Sequence, residues 1–195
     1  MGSQTIHIAI FASGSGSNAQ KLMEYFKDRE DIKIVLLLSN TSKAYALERA
    51  KNFGIHTYVF NRNSFYNTPE VLDELKKRDV KWIVLAGFLW LIPENLLKAY
   101  PDHIVNIHPA LLPAYGGHGM YGKYVHEAVA KAGDKESGIT IHLLNERYDE
   151  GEIVFQAKCA LEEGDTAEEI ARKVQLLEHE HFPQLVEQLI TTKNK

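Results

Sequence analysis

The sequence has few cysteines, no excess of positive charge and no long apolar run, and each absence excludes a class of protein. Its single cysteine excludes an internal disulfide and a cysteine-rich zinc site. Lys and Arg number 22 against 26 for Asp and Glu, a formal charge of −4, so no basic surplus is available to neutralise nucleic-acid phosphates. The longest apolar runs, Ile34–Leu38 and Trp82–Ile92, are shorter than the roughly 20 residues that a membrane helix needs.

The N-terminal segment also lacks the pattern of a signal peptide. In Met1–His7 no positive region precedes an apolar one, so we expect a cytoplasmic protein. The 195 residues, 45 % of them hydrophobic and 25 % charged, suit one globular domain. We therefore expect a single domain over residues 1–195, with a core at about 6–190 and small molecules as ligands.

Segments typical of strands alternate with segments of helical spacing along the chain. This alternation predicts an α/β domain, Rossmann-like, with a mostly parallel twisted sheet flanked by helices. Trp82–Ala86 is apolar throughout, as expected for a central strand buried on both faces. Thr166 and Glu169 form a capping-box signature that starts a long terminal helix. The predicted strands are Ile6–Phe11, Lys33–Leu38, His56–Val59, Trp82–Ala86, Ile104–His108, Ser137–Leu144 and Ile153–Ala160.

Ligands of such a sheet bind beyond the carboxyl ends of its strands, and a glycine-rich loop follows the first strand. Gly14, Gly16, Ser17 and Asn18 can present N–H groups and side-chain donors to an anion at a helix start. The spacing fits a dinucleotide fingerprint weakly, because Ser39 and Asn40 stand where an acid would bind the ribose. A Walker loop is excluded, since no Gly-Lys-Ser/Thr follows. The remaining alternatives are a single phosphate site and an ordinary tight turn.

Asn106 and His108 end another predicted strand and share one of its faces, because residues two apart point the same way. An amide beside an imidazole suits stabilising an oxyanion and moving a proton. A polar strand end with a structural histidine is the alternative. Thr140 and His142 share a face of the next strand and are expected to support the site.

An acidic loop, Asn145–Gly151, follows that strand. A carboxylate there can orient an imidazole and favour its charged form. Asp149 is the candidate, and Glu150 competes with it.

The histidines show no metal-binding spacing, so we expect no metal. The absence of a GxSxG motif, and of any motif around Cys159, leaves covalent catalysis without support.

The terminal helix carries one carboxylate on its apolar stripe. The stripe runs through Ala171, Val174, Phe182 and Leu185, and Glu178 lies on it. A bare carboxylate in a core is costly. Glu178 therefore either lies at the edge of the stripe or binds a cationic or hydroxylated group.

These segments together resemble the phosphoribosylglycinamide formyltransferases, folate-dependent enzymes of purine biosynthesis. The resemblance covers about Ile6 to Leu189. Its motifs are Gly16-Ser17-Asn18, Ala86-Gly87-Phe88, Asn106-Ile107-His108-Pro109, Leu111-Leu112-Pro113, Thr140-Ile141-His142, Asp149-Glu150-Gly151 and Val174-Gln175 with Glu178-His179. Family members often carry an arginine where this chain has Leu89-Trp90-Leu91.

The resemblance implies transfer of the formyl group of 10-formyltetrahydrofolate, the co-substrate, to the amine of phosphoribosylglycinamide, without a metal or a protein nucleophile. By the same resemblance, Asn106 and His108 stabilise the tetrahedral intermediate and relay its proton, and Asp149 raises the pKa of His108. The N-terminal half is implied to hold the ribonucleotide phosphate and the C-terminal half the folate. The implied ribonucleotide contacts are Gly16, Ser17, Asn18 and Glu178. The implied folate contacts are Leu89, Trp90, Leu91, Ile92, Asn106, Leu144, Asn145 and Asp149.

Alternative functions keep parts of this pattern. A deformylase or another amine formyltransferase would use the same Asn-His-Asp arrangement, and a nucleotide-binding module without catalysis would leave it unexplained. We expect a monomer or a homodimer that binds neither nucleic acid nor membrane.

Overall fold

A computed structural model describes residues 5–145 and 151–193. The strands form one seven-stranded sheet in the order β3-β2-β1-β4-β5-β6-β7, flanked by helices in a single α/β domain. The strands are β1 (Ile6–Phe11), β2 (Ile32–Ser39), β3 (His56–Val59), β4 (Val80–Leu85), β5 (Ile104–His108), β6 (Glu136–Leu143) and β7 (Ile153–Ala160). The helices are α1 (Ser17–Phe26), α2 (Tyr45–Asn52), α3 (Arg62–Tyr66), α4 (Glu70–Lys77), α5 (Glu94–Ala99), α6 (Lys123–Ala132) and α7 (Ala167–Lys193).

The chain divides into two compact units, residues 1–105 and 106–195. In the first unit, β1 pairs in parallel with β2 and with β4, and β2 pairs in parallel with β3. Trp82, Ile83 and Val84 of β4 are fully buried, which confirms the prediction of a central apolar strand. The first unit thus contains the parallel half of the fold, with the carboxyl ends of β1, β2 and β4 at one edge.

The second unit is built on an antiparallel pair. β6 and β7 pair antiparallel, and α7 packs against both strands and against α6. β6 is buried at every position but its first, whereas β7 alternates between half-buried and exposed residues. This difference follows from the sheet order, because β7 is its last strand.

The predicted boundaries of β1, β3, β5 and β7 are those of the structure. The capping box of α7 is present as well: the N–H of Thr166 donates to the Glu169 carboxylate at 2.8 Å, and the Glu169 N–H donates to Thr166 Oγ1 at 3.3 Å. The short helix α3 was not predicted. Its five residues are too few to show a period, although Asn61 and Ser64 form a capping box across its first turn.

Candidate active site

The glycine-rich loop after β1 passes very close to α2. Gly16 has φ 71°, and a Cβ built on it would lie 2.5 Å from the Ala46 Cβ. Both facts restrict the position to glycine, because an L side chain is strained at this φ and no room exists for it. α1 begins directly after this residue, at Ser17, so Ser17 and Asn18 lie in its first turn. The helix start therefore directs N–H groups out of the loop, as an anion site requires.

Ser13 ties this loop to the segment that follows β4. Its N–H donates to the Gly87 carbonyl at 3.1 Å, and its hydroxyl accepts the Leu89 N–H at 3.0 Å. Two hydrogen bonds from one residue fix the starts of both loops. Within the first unit, the predicted phosphate loop and the predicted folate segment 89–92 are therefore neighbours.

Trp90, in the segment 89–91, is in contact with several side chains of the first unit. The Arg62 guanidinium lies 5.2 Å from the centre of the indole, a cation–π distance, and the Tyr66 ring stacks at 6.1 Å. The Tyr66 hydroxyl donates to the Leu91 carbonyl at 3.0 Å. Leu89 and Leu91 remain exposed, so the segment offers apolar side chains and main-chain groups on a fixed backbone.

In the second unit, Asn106 is positioned by His142. The Asn106 Nδ2 donates to the His142 Nε2 at 3.1 Å, so the neutral His142 carries its own proton on Nδ1. His142 is 1 % exposed and lies on β6, whose burial fixes the ring. The Asn106 amide has two N–H groups, and this bond uses one of them.

His108 is buried at the end of β5 and bonded to the loop that follows it. Its Nε2 lies 2.8 Å from the Tyr115 carbonyl. A carbonyl only accepts, so His108 donates from Nε2, and in the neutral ring Nδ1 is the basic nitrogen. His108 is 4 % exposed, which removes most water from around the imidazole.

Thr140 and Gln156 hold the segment between His108 and Tyr115. Thr140 Oγ1 donates to the Ala110 carbonyl at 2.7 Å and accepts the Leu112 N–H at 2.9 Å. The Gln156 amide donates to the Leu112 carbonyl at 2.9 Å and to Thr140 Oγ1 at 2.8 Å. Thr140 was predicted to support the site, whereas Gln156 was not, because its contact lies 44 residues away along the chain.

A second histidine lies in the surroundings of His108 and was also missed. His126 on α6 is 8 % exposed, and its Nδ1 has no hydrogen-bond partner among the residues that the structure describes. Burial lowers the pKa of His126, and the charge of His108 lowers it further. Its position could have identified it from the sequence, because His126 follows Val125 in the apolar pattern of α6, where a histidine is unusual.

Glu178 lies in the middle of a buried line on α7. The buried residues Ile170, Val174, Phe182, Val186 and Ile190 are spaced by four or eight positions, and Glu178 occupies the gap; Pro183 is buried as well. Ala171 and Leu185, which the sequence placed on the stripe, are only half-buried. Glu178 is itself half-buried, which keeps both sequence-based alternatives open.

The ends of the acidic loop are described, but its centre is not. Asp149 and Glu150 lie outside the described residues. The Leu143 N–H donates to the Glu152 carbonyl at 3.0 Å, and a Cβ on Gly151 would lie 1.6 Å from the Leu143 carbonyl oxygen. At Gly151, the chain therefore lies so close to the end of β6 that only glycine fits.

Some of the predicted site residues are brought together within each unit. In the first unit, the loop that precedes residues 16–18 is tied through Ser13 to Gly87 and Leu89. The second places Asn106, His108, Thr140 and His142 in one hydrogen-bonded region. Across residues 5–145 and 151–193, no group of three or more His, Cys, Asp or Glu is arranged to hold a metal ion. None of the helices described is long and apolar enough to cross a membrane.

The known proteins to which this chain is similar include formyltransferases. The profile of the formyl transferase family matches residues 6–186. Phosphoribosylglycinamide formyltransferase of Bacillus subtilis (strain 168) is 35 % identical over 192 residues, which are 96 % of each chain. The crystal structure of glycinamide ribonucleotide transformylase 1 from Geobacillus kaustophilus superposes with a TM-score of 0.85 at 34 % identity, covering 95 % of this chain and 99 % of that one.

Plant relatives match as well but are longer. The chloroplastic phosphoribosylglycinamide formyltransferase of Arabidopsis thaliana is 41 % identical over 185 residues, 92 % of this chain. The chain spans about three fifths of the length of the plant relatives, 63 % and 60 % for the two compared. With a family profile over most of its length and a bacterial relative of nearly equal extent, the chain belongs to the formyl transferase family, among the phosphoribosylglycinamide formyltransferases.

Proposed function

We propose that this chain transfers the formyl group of 10-formyltetrahydrofolate to the amine of 5-phosphoribosylglycinamide. The products are formylglycinamide ribonucleotide and tetrahydrofolate. Relatives of matching length carry the name of this activity. The observation that carries the proposal is the Asn106–His142 hydrogen bond of 3.1 Å, with His108 two residues along the same strand.

Asn106 is proposed to stabilise the oxyanion. The substrate amine forms a bond to the formyl carbon, and the carbonyl oxygen becomes negative in the tetrahedral intermediate. The second N–H of the Asn106 amide is available to donate to that oxygen, while the first stays on His142. Donors held in place before the reaction need no reorganisation as the charge develops.

His108 is proposed to move the proton. The attacking nitrogen loses a proton as its bond to carbon forms, and the folate nitrogen must gain one as its bond to carbon breaks. A buried imidazole can accept the first proton and deliver the second, so the transfer is balanced without another reagent. Asp149 is the proposed partner that raises the pKa of His108.

The substrates are proposed to bind at the remaining predicted residues. Gly16, Ser17 and Asn18 would hold the phosphate, and Glu178 would accept hydrogen bonds from ribonucleotide hydroxyls or its amine. Main-chain groups of residues 89–92 and of Leu144 and Asn145 would contact the pterin. The fixed backbone around Trp90 and the exposed Leu89 and Leu91 suit a flat, partly apolar ring with polar edges.

The test mixes the protein with both substrates and follows folate absorbance, with a parallel reaction lacking the amine. We expect transfer only with the amine; release of formate without it would indicate a deformylase. His108→Ala should lower the rate by about 10²–10⁴. Near wild-type transfer by this variant would contradict the assignment.

Asp149 needs its own experiment because Glu150 is its neighbour. A carboxylate stabilises the imidazolium, so Asp149→Asn should shift the His108 limb of the pH–rate profile to lower pH. Glu150→Gln serves as the matched control. A shift in the control alone would assign the role to Glu150.

The proposal also covers the number of domains, the cellular location and the oligomeric state. We propose one catalytic domain over residues 1–195, acting in the cytoplasm as a monomer or a homodimer. Bacterial relatives of similar extent favour this interpretation, while the chloroplastic plant relatives mark another location for the family. Size-exclusion chromatography with light scattering tests the oligomeric state.

A further inference from the structure

The N-terminal part of α2 contacts the glycine-rich loop at three consecutive residues. The Ala46 N–H donates to the Gly14 carbonyl at 3.2 Å. The Arg49 Nε donates to the Ser15 carbonyl at 2.8 Å. The missing Cβ of Gly16 leaves the space that the Ala46 methyl fills. Contacts with one helix, α2, therefore fix the conformation of the loop.

Two of these contacts orient carbonyls of the loop toward α2. Gly14 and Ser15 are both exposed, so their peptide groups would otherwise be free to rotate. A peptide plane whose carbonyl is held on one side directs the N–H of the following residue to the other. The α2 contacts thus favour a loop whose N–H groups of Ser15 and Gly16 point away from the helix.

Arg49 also brings a charge that no carboxylate among the described residues pairs with. Its guanidinium lies 4.8 Å from the centre of the Tyr45 ring, and within the described part of the chain it forms no ion pair. The nearby Glu48 pairs instead with Lys51 at 2.6 Å. Arg49 is half-buried, and its contacts with a carbonyl oxygen and an aromatic ring do not cancel its charge. The positive charge can therefore attract an anion at the loop.

We propose that Arg49 is a positioning residue of the phosphate loop, acting through the Ser15 carbonyl and supplying positive charge beside the bound phosphate. This inference rests on the proposed function, since it presumes that residues 16–18 hold a phosphate. It adds a cation to a site for which the sequence predicted only uncharged donors: backbone N–H groups and the side chains of Ser17 and Asn18. Tyr45 assists by covering one face of the guanidinium.

The variants separate the hydrogen bond from the charge. Arg49→Met removes both and keeps the apolar stem, whereas Arg49→Lys keeps the charge without the Nε donor. Lys51→Met is the matched control, because it removes a cation two residues along the same helix that has no contact with the loop. Losing a charge-assisted hydrogen bond should raise the KM for the ribonucleotide about tenfold or more in Arg49→Met. The KM for the formyl donor and the values for Lys51→Met should stay near wild type, and Arg49→Lys should be intermediate.

The phosphate itself provides the decisive comparison. With ribosylglycinamide, which lacks the phosphate, Arg49→Met and wild type should react alike, since the loop then has no anion to hold. A defect of equal size with both substrates would overturn the proposal, because it would indicate a general structural role. Equal KM values for Arg49→Met and Lys51→Met would also overturn it.

A binding measurement keeps this inference distinct from the proposed reaction. Ribose 5-phosphate should raise the thermal midpoint of wild type and Lys51→Met, and should raise that of Arg49→Met much less. If wild type shows this stabilisation but no formyl transfer, the proposed function fails while the role of Arg49 stands. If Arg49→Met is stabilised as much as wild type, the role of Arg49 is refuted whatever the activity.

Discussion

The Nδ2 of Asn106 donates a hydrogen bond to the Nε2 of His142 across 3.1 Å. Asn106 lies on β5 and His142 on β6, 36 residues later. His142 is 1 % exposed and cannot turn freely, so it fixes the plane of the amide. The amide group proposed to meet the developing oxyanion is therefore oriented before any substrate binds.

The first prediction concerns the nitrogen that accepts this bond. His142→Leu removes the acceptor, while His142→Gln provides a side-chain oxygen that can replace it. A misoriented donor should lower kcat by about tenfold or more, with little change in either KM, because the bond to the oxyanion is made only in the transition state. His142→Gln should recover part of this loss in the same steady-state assay. Equal kcat values for the two variants would show that the acceptor is not what matters.

The second prediction concerns Gly16 in the loop after β1. Gly16→Ala combines a strained positive φ with a Cβ 2.5 Å from that of Ala46. The φ alone should cost about 1–2 kcal/mol, and the overpacking should add about 1–3 kcal/mol. Urea unfolding measures the total, and the KM for the ribonucleotide should rise because the loop must shift.

Gly54 offers the matched control for this variant. It has φ 69°, but no heavy atom of residues 5–145 or 151–193 outside its chain neighbours lies within 4 Å of its missing Cβ. Gly54→Ala should therefore show the backbone cost alone and leave the KM unchanged. If the two variants lose the same free energy of unfolding, the close approach of Ala46 has no energetic weight.

The third prediction uses the lowered pKa of His126. The unfolded imidazole takes up a proton as the pH falls below its ordinary pKa of 6.5, whereas burial and the charge of His108 keep the folded imidazole neutral to lower pH. Protonation then favours the unfolded state, so wild type should lose free energy of unfolding as the pH falls through this window. At pH values above this window, the His126 imidazole is neutral in both the folded and the unfolded state, so its contribution to the free energy of unfolding is constant.

His126→Leu provides the comparison, because leucine does not titrate. Urea unfolding at a series of pH values from 7.5 down to 5 should show wild type losing stability faster than the variant below about pH 6.5. Parallel curves over this range would contradict the lowered pKa. The variant also removes a buried nitrogen that has no hydrogen-bond partner in the described part of the chain, so its stability at the lowest pH should equal or exceed that of wild type.

Sequence patterns predicted the secondary-structure elements better than the contacts between them. The alternation of apolar runs and turns was enough for β1, β3, β5 and β7, and the two-residue period of β5 made Asn106 and His108 candidates. Arg49, His126 and Gln156 were missed for a common reason. Their partners lie 34, 18 and 44 positions away in the chain, and no local period encodes such a contact.

The last prediction tests whether the segment around Trp90 lies against the folate. The sequence has two tryptophans; Trp82 is fully buried in β4, whereas Trp90 is half-buried between Arg62 and Tyr66. Binding of a tetrahydrofolate analogue should therefore change the fluorescence of Trp90 and leave that of Trp82 unaltered, since only the half-buried indole can change its surroundings. In Trp90→Phe the remaining emission comes from Trp82 and should not respond, which also controls for absorption of light by the ligand. A full response in Trp90→Phe, at ligand concentrations that saturate wild type, would place the folate away from residues 89–92. A response lost in Trp90→Phe with the KM for the formyl donor raised severalfold would assign the indole a direct part in binding, because phenylalanine offers less surface for stacking and a weaker cation–π partner for Arg62.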